Sequence, residues 1–586
     1  MTSTKLDWQA LRPQTDNYQH YFSHVTEDTS GCFEKTQARL ANGLQAFSQT
    51  TAEPAMMLVK IAEYGQYLTL LRDRLTQLEA DNPSSQWCGG QYTLEGNQAR
   101  YRAFASPEDN FACQSGQVSV ADWIEPEQLF GCVRLFQETL TLEPGLIHRL
   151  NGGTLIISLR AVLTQPLMWL RLKQIFLSQQ YVWLSPDETC ALPISIPAMP
   201  LKFRLLIAGD REALAEFQEM EPELSTLAIY SEFEENIQIV DDEEIADWCQ
   251  WVRSVADEAG IGAIEADFWP ELIIESVRYT GDQETLPLCP CWLSRQLQDA
   301  VIYSEDNGLA ASQLKSALEA RAWREGFLAE RMQDEILLDQ VLINTEDEVT
   351  GQINGLSVIE FPGHPRAFGE PARISCVVHP GDGEFTDVER KAELGGNIHA
   401  KGMMIMQAWL VSELELEQQL PFSASMVFEQ SYSEVDGDSA SLAELCALIS
   451  ALATQPINQQ IAVTGSVDQF GNVQPVGGLN EKIEGFFQIC QQRGLSGKQG
   501  VILPASNTRH LALNDEVINA VREQQFHIWT VSHTEDALPL LMQKSWNTEQ
   551  GSCLLRTIQD RIAQMNQQDN RHRPWPLRWL NWFNHN

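Results

Sequence analysis

The stretch Tyr432-Ser433-Glu434-Val435-Asp436-Gly437-Asp438-Ser439-Ala440-Ser441-Leu442-Ala443 puts a serine where a turn feeds a helix. Asp436-Gly437-Asp438 is a tight-turn sequence. Leu442, Ala443, Leu445, Cys446, Leu448, Ile449 and Leu452 then form a broad apolar helix face. At such a junction the Ser439 hydroxyl could be exposed, with unpaired backbone N–H groups nearby to hold an oxyanion. The same position equally suits a plain N-cap, a common use of serine.

A nucleophilic serine needs a base. Downstream, Ile461-Ala462-Val463-Thr464-Gly465-Ser466 reads as a strand ending in a turn. Gly471-Asn472-Val473-Gln474-Pro475-Val476-Gly477-Gly478-Leu479-Asn480-Glu481-Lys482-Ile483 reads as a hairpin strand, a double-glycine turn and a helix start. The helix dipole disfavours a charged Lys482 in that first turn. Burial would lower its pKa further, giving a neutral amine able to take the serine proton. Alternatively, Lys482 is simply solvated.

Together these segments resemble the proteolytic domain of Lon proteases. The family pattern is Asp/Glu-Gly-Asp/Pro-Ser-Ala, then Thr-Gly-Ser/Glu, then Pro-Val/Ile-Gly-Gly with a lysine four residues on. Here it is met by 436–440, Thr464-Gly465-Ser466, Pro475-Val476-Gly477-Gly478 and Lys482, with Lys482 43 positions after Ser439. Val501-Ile502-Leu503-Pro504 looks like the following Lon strand. Residues 351–358, 368–374 and 394–402, and Asp438 before the serine, look like the B-type branch. The likeness covers about 345–540, a third of the chain.

The resemblance implies a Ser439/Lys482 dyad cleaving peptide bonds through an acyl-enzyme, with Thr464 orienting the lysine. A strand-end threonine can also merely satisfy its own backbone. His364, His379 and His399 invite a Ser-His-Asp triad, but Ser439 has no G-x-S-x-G elbow. His399 matches a family position that is not the catalytic base. Glu434 or Asp436, if either reached Lys482, would hold the amine protonated.

Lon proteases carry an AAA+ ATPase module ahead of this domain. A phosphate-binding loop needs G-x-x-x-x-G-K-[ST], which occurs nowhere here. The best-placed segment, Lys60-Ile61-Ala62-Glu63-Tyr64-Gly65-Gln66-Tyr67, follows a strand-like Met56-Met57-Leu58-Val59. It has Gln66 for the lysine and Tyr67 for the hydroxyl residue, and Glu63 would repel phosphate. Thr154-Leu155-Ile156-Ile157 leads into Ser158, with no acid to hold Mg²⁺. Residues 146–176 still look like the corresponding part of Lon-type ATPases. ATP hydrolysis is not expected; nucleotide binding is left open, and no metal site is expected.

The elements that must position these residues follow from hydropathy. Strand-like runs at Met56-Val59, Thr154-Ile157 and 203–208 alternate with helical stretches, such as Leu68, Leu70, Leu71, Leu75 and Leu78, as in a parallel α/β core. Residues 261–279, 293–303 and 310–343 follow helical patterns. The expected fold is an α/β N-terminal AAA+-like module with a helical lid, followed by an α+β Lon-type proteolytic domain. The divisions are a polar, irregular segment at 1–50, the degenerate module at 51–240, lid and linker at 241–344, the proteolytic domain at 345–545 and a helical, Trp-rich tail at 546–586.

The 586 residues carry a net charge of −40, which disfavours sequence-independent binding to nucleic acid. The 155–184 region is apolar but interrupted by Arg160, Arg171 and Lys173, a poor membrane span. The 12 cysteines include no C-x-x-C, and Cys289/Cys291 lack companions, so reduced thiols and a cytoplasmic location are expected. The tail, with Trp575, Trp579, Trp582 and Phe583 among Arg571, Arg573 and Arg578, could dock on a membrane surface or partner, or pack on its own body. Two function classes stand: a Ser/Lys endopeptidase of unfolded polypeptides, hexameric by resemblance, or a non-catalytic scaffold derived from one.

Overall fold

The computed structural model describes residues 3–25, 28–81, 89–95, 98–104, 111, 118–137, 139–185, 189–305, 308–415, 420–431, 434–548 and 551–572, with side chains to 565. The tail residues Trp575, Trp579, Trp582, Phe583, Arg573 and Arg578, and the Arg571 side chain, lie outside them.

The N-terminal segment is not irregular as its polarity suggests. A short strand, β1 (Thr4–Lys5), and helix α1 (Ala38–Gln49) form there. Leu40, Leu44 and Phe47 of α1 are fully buried, so a few apolar residues at helical spacing outweigh the polar average.

The first sheet is β2 (Met56–Lys60), β3 (Val118–Ala121), β4 (Thr154–Ser158), β5 (Arg204–Gly209) and β6 (Ile229–Glu232). All pairings are parallel, in the order β6-β2-β5-β4-β3. β2, β4 and β5 read as unbroken apolar runs because helices cover both faces. Two layers result: Met57, Val59 and Leu206 face one core, and Met56, Leu58 and Leu205 the other. Helix α2 (Gly65–Asp81) follows β2 and buries Leu68, Leu71 and Leu75.

Five helices follow: α3 (Asp242–Glu258), α4 (Phe268–Thr280), α5 (Pro290–Val301), α6 (Ala311–Glu325) and α7 (Phe327–Leu337). The 310–343 pattern is thus two helices, divided at Gly326.

The second sheet is mixed. Its strands are β7 (Gln352–Ile359), β8 (Phe368–Pro380), β9 (Phe385–Asp387), β10 (Phe422–Phe428), β11 (Ile461–Val463), β12 (Gln499–Pro504) and β13 (Phe526–Val531). Their order is β1-β13-β12-β11-β7-β8-β10-β9, so the N-terminal strand closes one edge. The strands β7, β11, β12 and β13 run parallel. Helix α8 (Asn397–Glu413) packs on α9 (Ser441–Ala453), of which every residue is buried. Helix α10 (Leu479–Arg493) lies on the opposite sheet face, as the alternation of Val501 and Ile502 between two cores records. The last described helix, α11 (Leu554–His572), packs on α9. No described helix is long and apolar enough to cross a membrane.

Candidate active site

Helices on opposite faces of a sheet bring their first turns together only past a strand end. Here that strand is β11. Its ladder continues one residue further, Thr464 N–H donating to Ile502 O at 3.0 Å. Ser439 sits in the turn just before α9, half-buried, and Lys482 in the first turn of α10, 4% exposed.

Two backbone features set the lysine. Gly478 precedes α10 with φ +66°, and a Cβ there would lie 2.3 Å from Val358. Gly369 on β8 and Gly485 on α10 let helix and strand backbones touch: a Cβ on Gly369 would lie 1.9 Å from Glu481 O. Any side chain at either would lift Lys482 away from Ser439.

The structure brings the two predicted residues together. Lys482 Nζ is 3.0 Å from Ser439 Oγ and 3.4 Å from Thr464 Oγ1. Thr464 Oγ1 in turn donates to Ser439 O at 3.3 Å. Its one proton is thereby used, so its lone pair faces the amine. A neutral amine can donate to Thr464 and aim its own lone pair at Ser439 Oγ–H. Gly465 N–H donates to Ser439 O at 2.8 Å, fixing the serine backbone to the strand end.

Burial pulls the Lys482 pKa from 10.5 down to about 8, opposed by the nearby charges of Asp438 and Glu481. The carboxylates facing the lysine are therefore these two, not Glu434 or Asp436. Glu434 is exposed, and Asp436 accepts from Gly437 N–H at 3.0 Å. Asp438 is held by Ser466 Oγ, which donates to Oδ2 at 2.8 Å. Its electrostatic role escaped the sequence reading because it depends on a loop crossing that local pattern does not encode. His364 is half-buried and His379 exposed; His399 is buried, 3.2 Å from Asp387 and 3.8 Å from Glu444.

The segment expected to correspond to a nucleotide loop, 60–67, also takes shape. Only four residues, 61–64, separate β2 from α2. The Glu63 carboxylate accepts from Ser158 Oγ and, at 2.8 Å, from Arg160 N–H. It thus turns inward onto the end of β4. Tyr67 lies in the core against Phe233, donating its hydroxyl to Glu235 at 3.0 Å; Gln66 is exposed. An internal carboxylate thus fills the turn between β2 and α2.

A parallel sheet in this order, leading through helices to a mixed sheet with the serine and lysine at one strand end, defines an AAA domain followed by a Lon proteolytic domain. Residues 118–234 match the family described as LonB-like, AAA domain, and 431–544 match Lon protease (S16) C-terminal proteolytic domain. A Lon protease homolog of Escherichia coli (strain K12) is 59% identical over 586 residues, all of both chains. One from Haemophilus influenzae is 41% identical over 573 residues, 95% of this chain and 93% of that relative. An archaeal Lon protease of Halobacterium salinarum is 26% identical over 422 residues, 68% of this chain and 55% of the relative. The chain belongs to the Lon protease family.

Proposed function

We propose that the protein is a serine endopeptidase that hydrolyses peptide bonds in proteins with Ser439 as nucleophile and Lys482 as general base. One observation carries the reading: a buried amine, its pKa drawn down to about 8, lies 3.0 Å from a hydroxyl at a helix N-terminus. Neutral Lys482 takes the Ser439 proton as Oγ attacks the peptide carbonyl carbon. Backbone N–H groups around Ser439 receive the oxyanion. Collapse breaks the C–N bond, and the ammonium of Lys482 returns its proton to the leaving amine. Lys482 then deprotonates a water, which cleaves the acyl-serine ester, and Ser439 regains its proton. Thr464 keeps the amine on line.

The division into 51–240, 241–344 and 345–545 goes with this reading. Substrates are unfolded polypeptides, because the front module has no ligand set for ATP hydrolysis. Glu63, Gln66, Tyr67 and Ser158 stand where that chemistry needs a phosphate cradle, a lysine, a hydroxyl and an acid. A cytoplasmic hexameric ring completes the proposal, following the family resemblance.

The test incubates the full chain with a reduced, alkylated unfolded protein, with and without MgATP. Wild type should produce fragments at the same rate in both, and Ser439→Ala none. Equal cleavage by wild type and Ser439→Ala would sink the nucleophile assignment. Acceleration by MgATP in the wild type would sink the ATP-independent reading while leaving the dyad intact.

A further inference from the structure

The dyad leaves one buried polar cluster in the same domain unexplained. Asp387 ends β9, Glu389 follows in the short helix Val388–Lys391, and His399 and Glu444 lie in the first turns of α8 and α9. Their side chains are nearly sealed: His399 and Glu444 are 2% exposed and Asp387 10%. Three carboxylates thus share one imidazole. Among the described residues, no lysine or arginine is ion-paired with any of the three.

The contacts among them are incomplete. His399 Nε2 and Asp387 Oδ2 face each other at 3.2 Å as an ion pair without good hydrogen-bond geometry, Glu389 Oε1 accepts from Phe428 N–H at 2.8 Å, and Glu444 Oε1 has no hydrogen-bond partner. One donor atom each from Asp387, Glu389 and His399 lie within 4.8 Å of one another. Ligands at 2.0–2.2 Å around one cation sit about 3 Å apart, close to the His399–Asp387 separation. Glu444 Oε1 lies on the other side of the ring, 3.8 Å from Nδ1. That is beyond hydrogen-bond distance; a small closure would make it the carboxylate behind the second ring nitrogen that fixes the tautomer of a metal-ligating histidine. Buried carboxylates in excess of their cations are protonated, paired or metal-bound in proteins, and here three face one imidazole.

We propose that Asp387, Glu389 and His399 Nε2 bind a divalent cation, with Glu444 orienting the imidazole. Two carboxylates and one imidazole suit Mn²⁺ or Zn²⁺ rather than a soft, thiolate-seeking ion. The cation would clamp β9 and α8 together, with Glu444 linking them to α9, the helix that follows Ser439. A second tie runs through the backbone: Gly396 N–H donates to Val435 O at 2.9 Å, and Val435 N–H to Leu394 O at 2.8 Å. The cation therefore braces the serine loop without touching Ser439 or Lys482.

Mn²⁺ is the probe, because exposed thiols such as Cys190 compete less for it than for Zn²⁺. The full chain, stripped with a chelator, is titrated calorimetrically, with the electron spin resonance of free Mn²⁺ followed in parallel. One equivalent per chain should bind and raise the melting temperature. Glu444→Gln should weaken binding about 10- to 100-fold, the usual effect of losing a ligand's outer partner. Asp387→Asn and His399→Gln should abolish it while circular dichroism reports an intact fold. If His399→Gln fails to fold, Asp387→Asn and Glu444→Gln carry the comparison. No binding by folded wild type at millimolar Mn²⁺, or unchanged binding in folded Asp387→Asn, overturns the proposal. Neither readout depends on peptidase activity, so this site and the dyad can fail separately.

Discussion

At the residue scale, the behaviour of Lys482 follows from its burial. Only the neutral amine can accept the Ser439 proton, so peptide cleavage should rise with pH, with a midpoint near 8, as the amine loses its proton. Asp438 opposes the burial effect by favouring the charged form. Asp438→Asn should therefore move the midpoint of the pH–rate profile downward, while its amide oxygen still accepts from Ser466. An unmoved midpoint would separate Asp438 from the base. Burial of the lysine also costs stability. A folded-state pKa of about 8 against 10.5 unfolded means that, between those values, the unfolded chain holds more protons, so stability rises with pH. Below pH 8 the cost is full, on the order of 3 kcal/mol. Lys482→Met should accordingly melt higher than wild type at pH 7, with the difference shrinking toward pH 10.5.

At the element scale, α9 is an unusual object: a helix buried on all sides that directly follows the half-exposed Ser439 turn. Its C-terminal carbonyls are answered from α11. Arg561 Nη1 donates to Ala451 O at 2.6 Å, Leu452 O at 2.8 Å and Thr454 Oγ1 at 2.9 Å. A cation there also suits the negative end of the helix dipole. Arg561→Ala strands these carbonyls and should cost about 2 kcal/mol in denaturant unfolding, the range for hydrogen bonds to a charged group. The run of small and aliphatic residues from Ser441 to Ala453 made this helix readable in advance. Its partner α11 was readable only as a polar helical stretch, since among its described side chains the buried aliphatic anchors are few: Leu554, Ile558 and Ile562.

At the scale of the whole molecule, the two sheets are joined through the helices between them. Arg278 on α4 meets Glu484 on α10 in a two-pronged pair, at 2.6 and 3.0 Å, and also donates to Ala512 O at 2.8 Å. Glu484 lies two residues beyond Lys482, so this pair anchors the helical bundle to the lysine helix. Arg278→Ala leaves a largely buried carboxylate without its cation and should cost about 3 kcal/mol. The double variant Arg278→Met with Glu484→Leu should recover much of that loss in the same unfolding measurement, because no charge is then left unpaired.

Much of the molecule was legible in the sequence. The serine turn, the Thr-Gly-Ser strand end and the double glycine before Lys482 are local signals, because turns, strand ends and helix starts each restrict the residues that can occupy them. Composition misled at the N-terminus, where β1 and α1 are set by contacts to strands hundreds of residues away. Nothing local could say that Glu63 would turn inward onto Ser158 and Arg160, or that Asp438 and Glu481 rather than Glu434 and Asp436 would face the lysine. Nor could it gather Asp387, Glu389, His399 and Glu444 from four elements into one sealed cluster. The chain by itself determined which groups are available and which backbone shapes their neighbours permit. Distance, burial and the sign of the surrounding charge, which decide whether Lys482 is a base or an ammonium, arise only when strands β7, β8 and β11 lay α9 and α10 against opposite faces of one sheet.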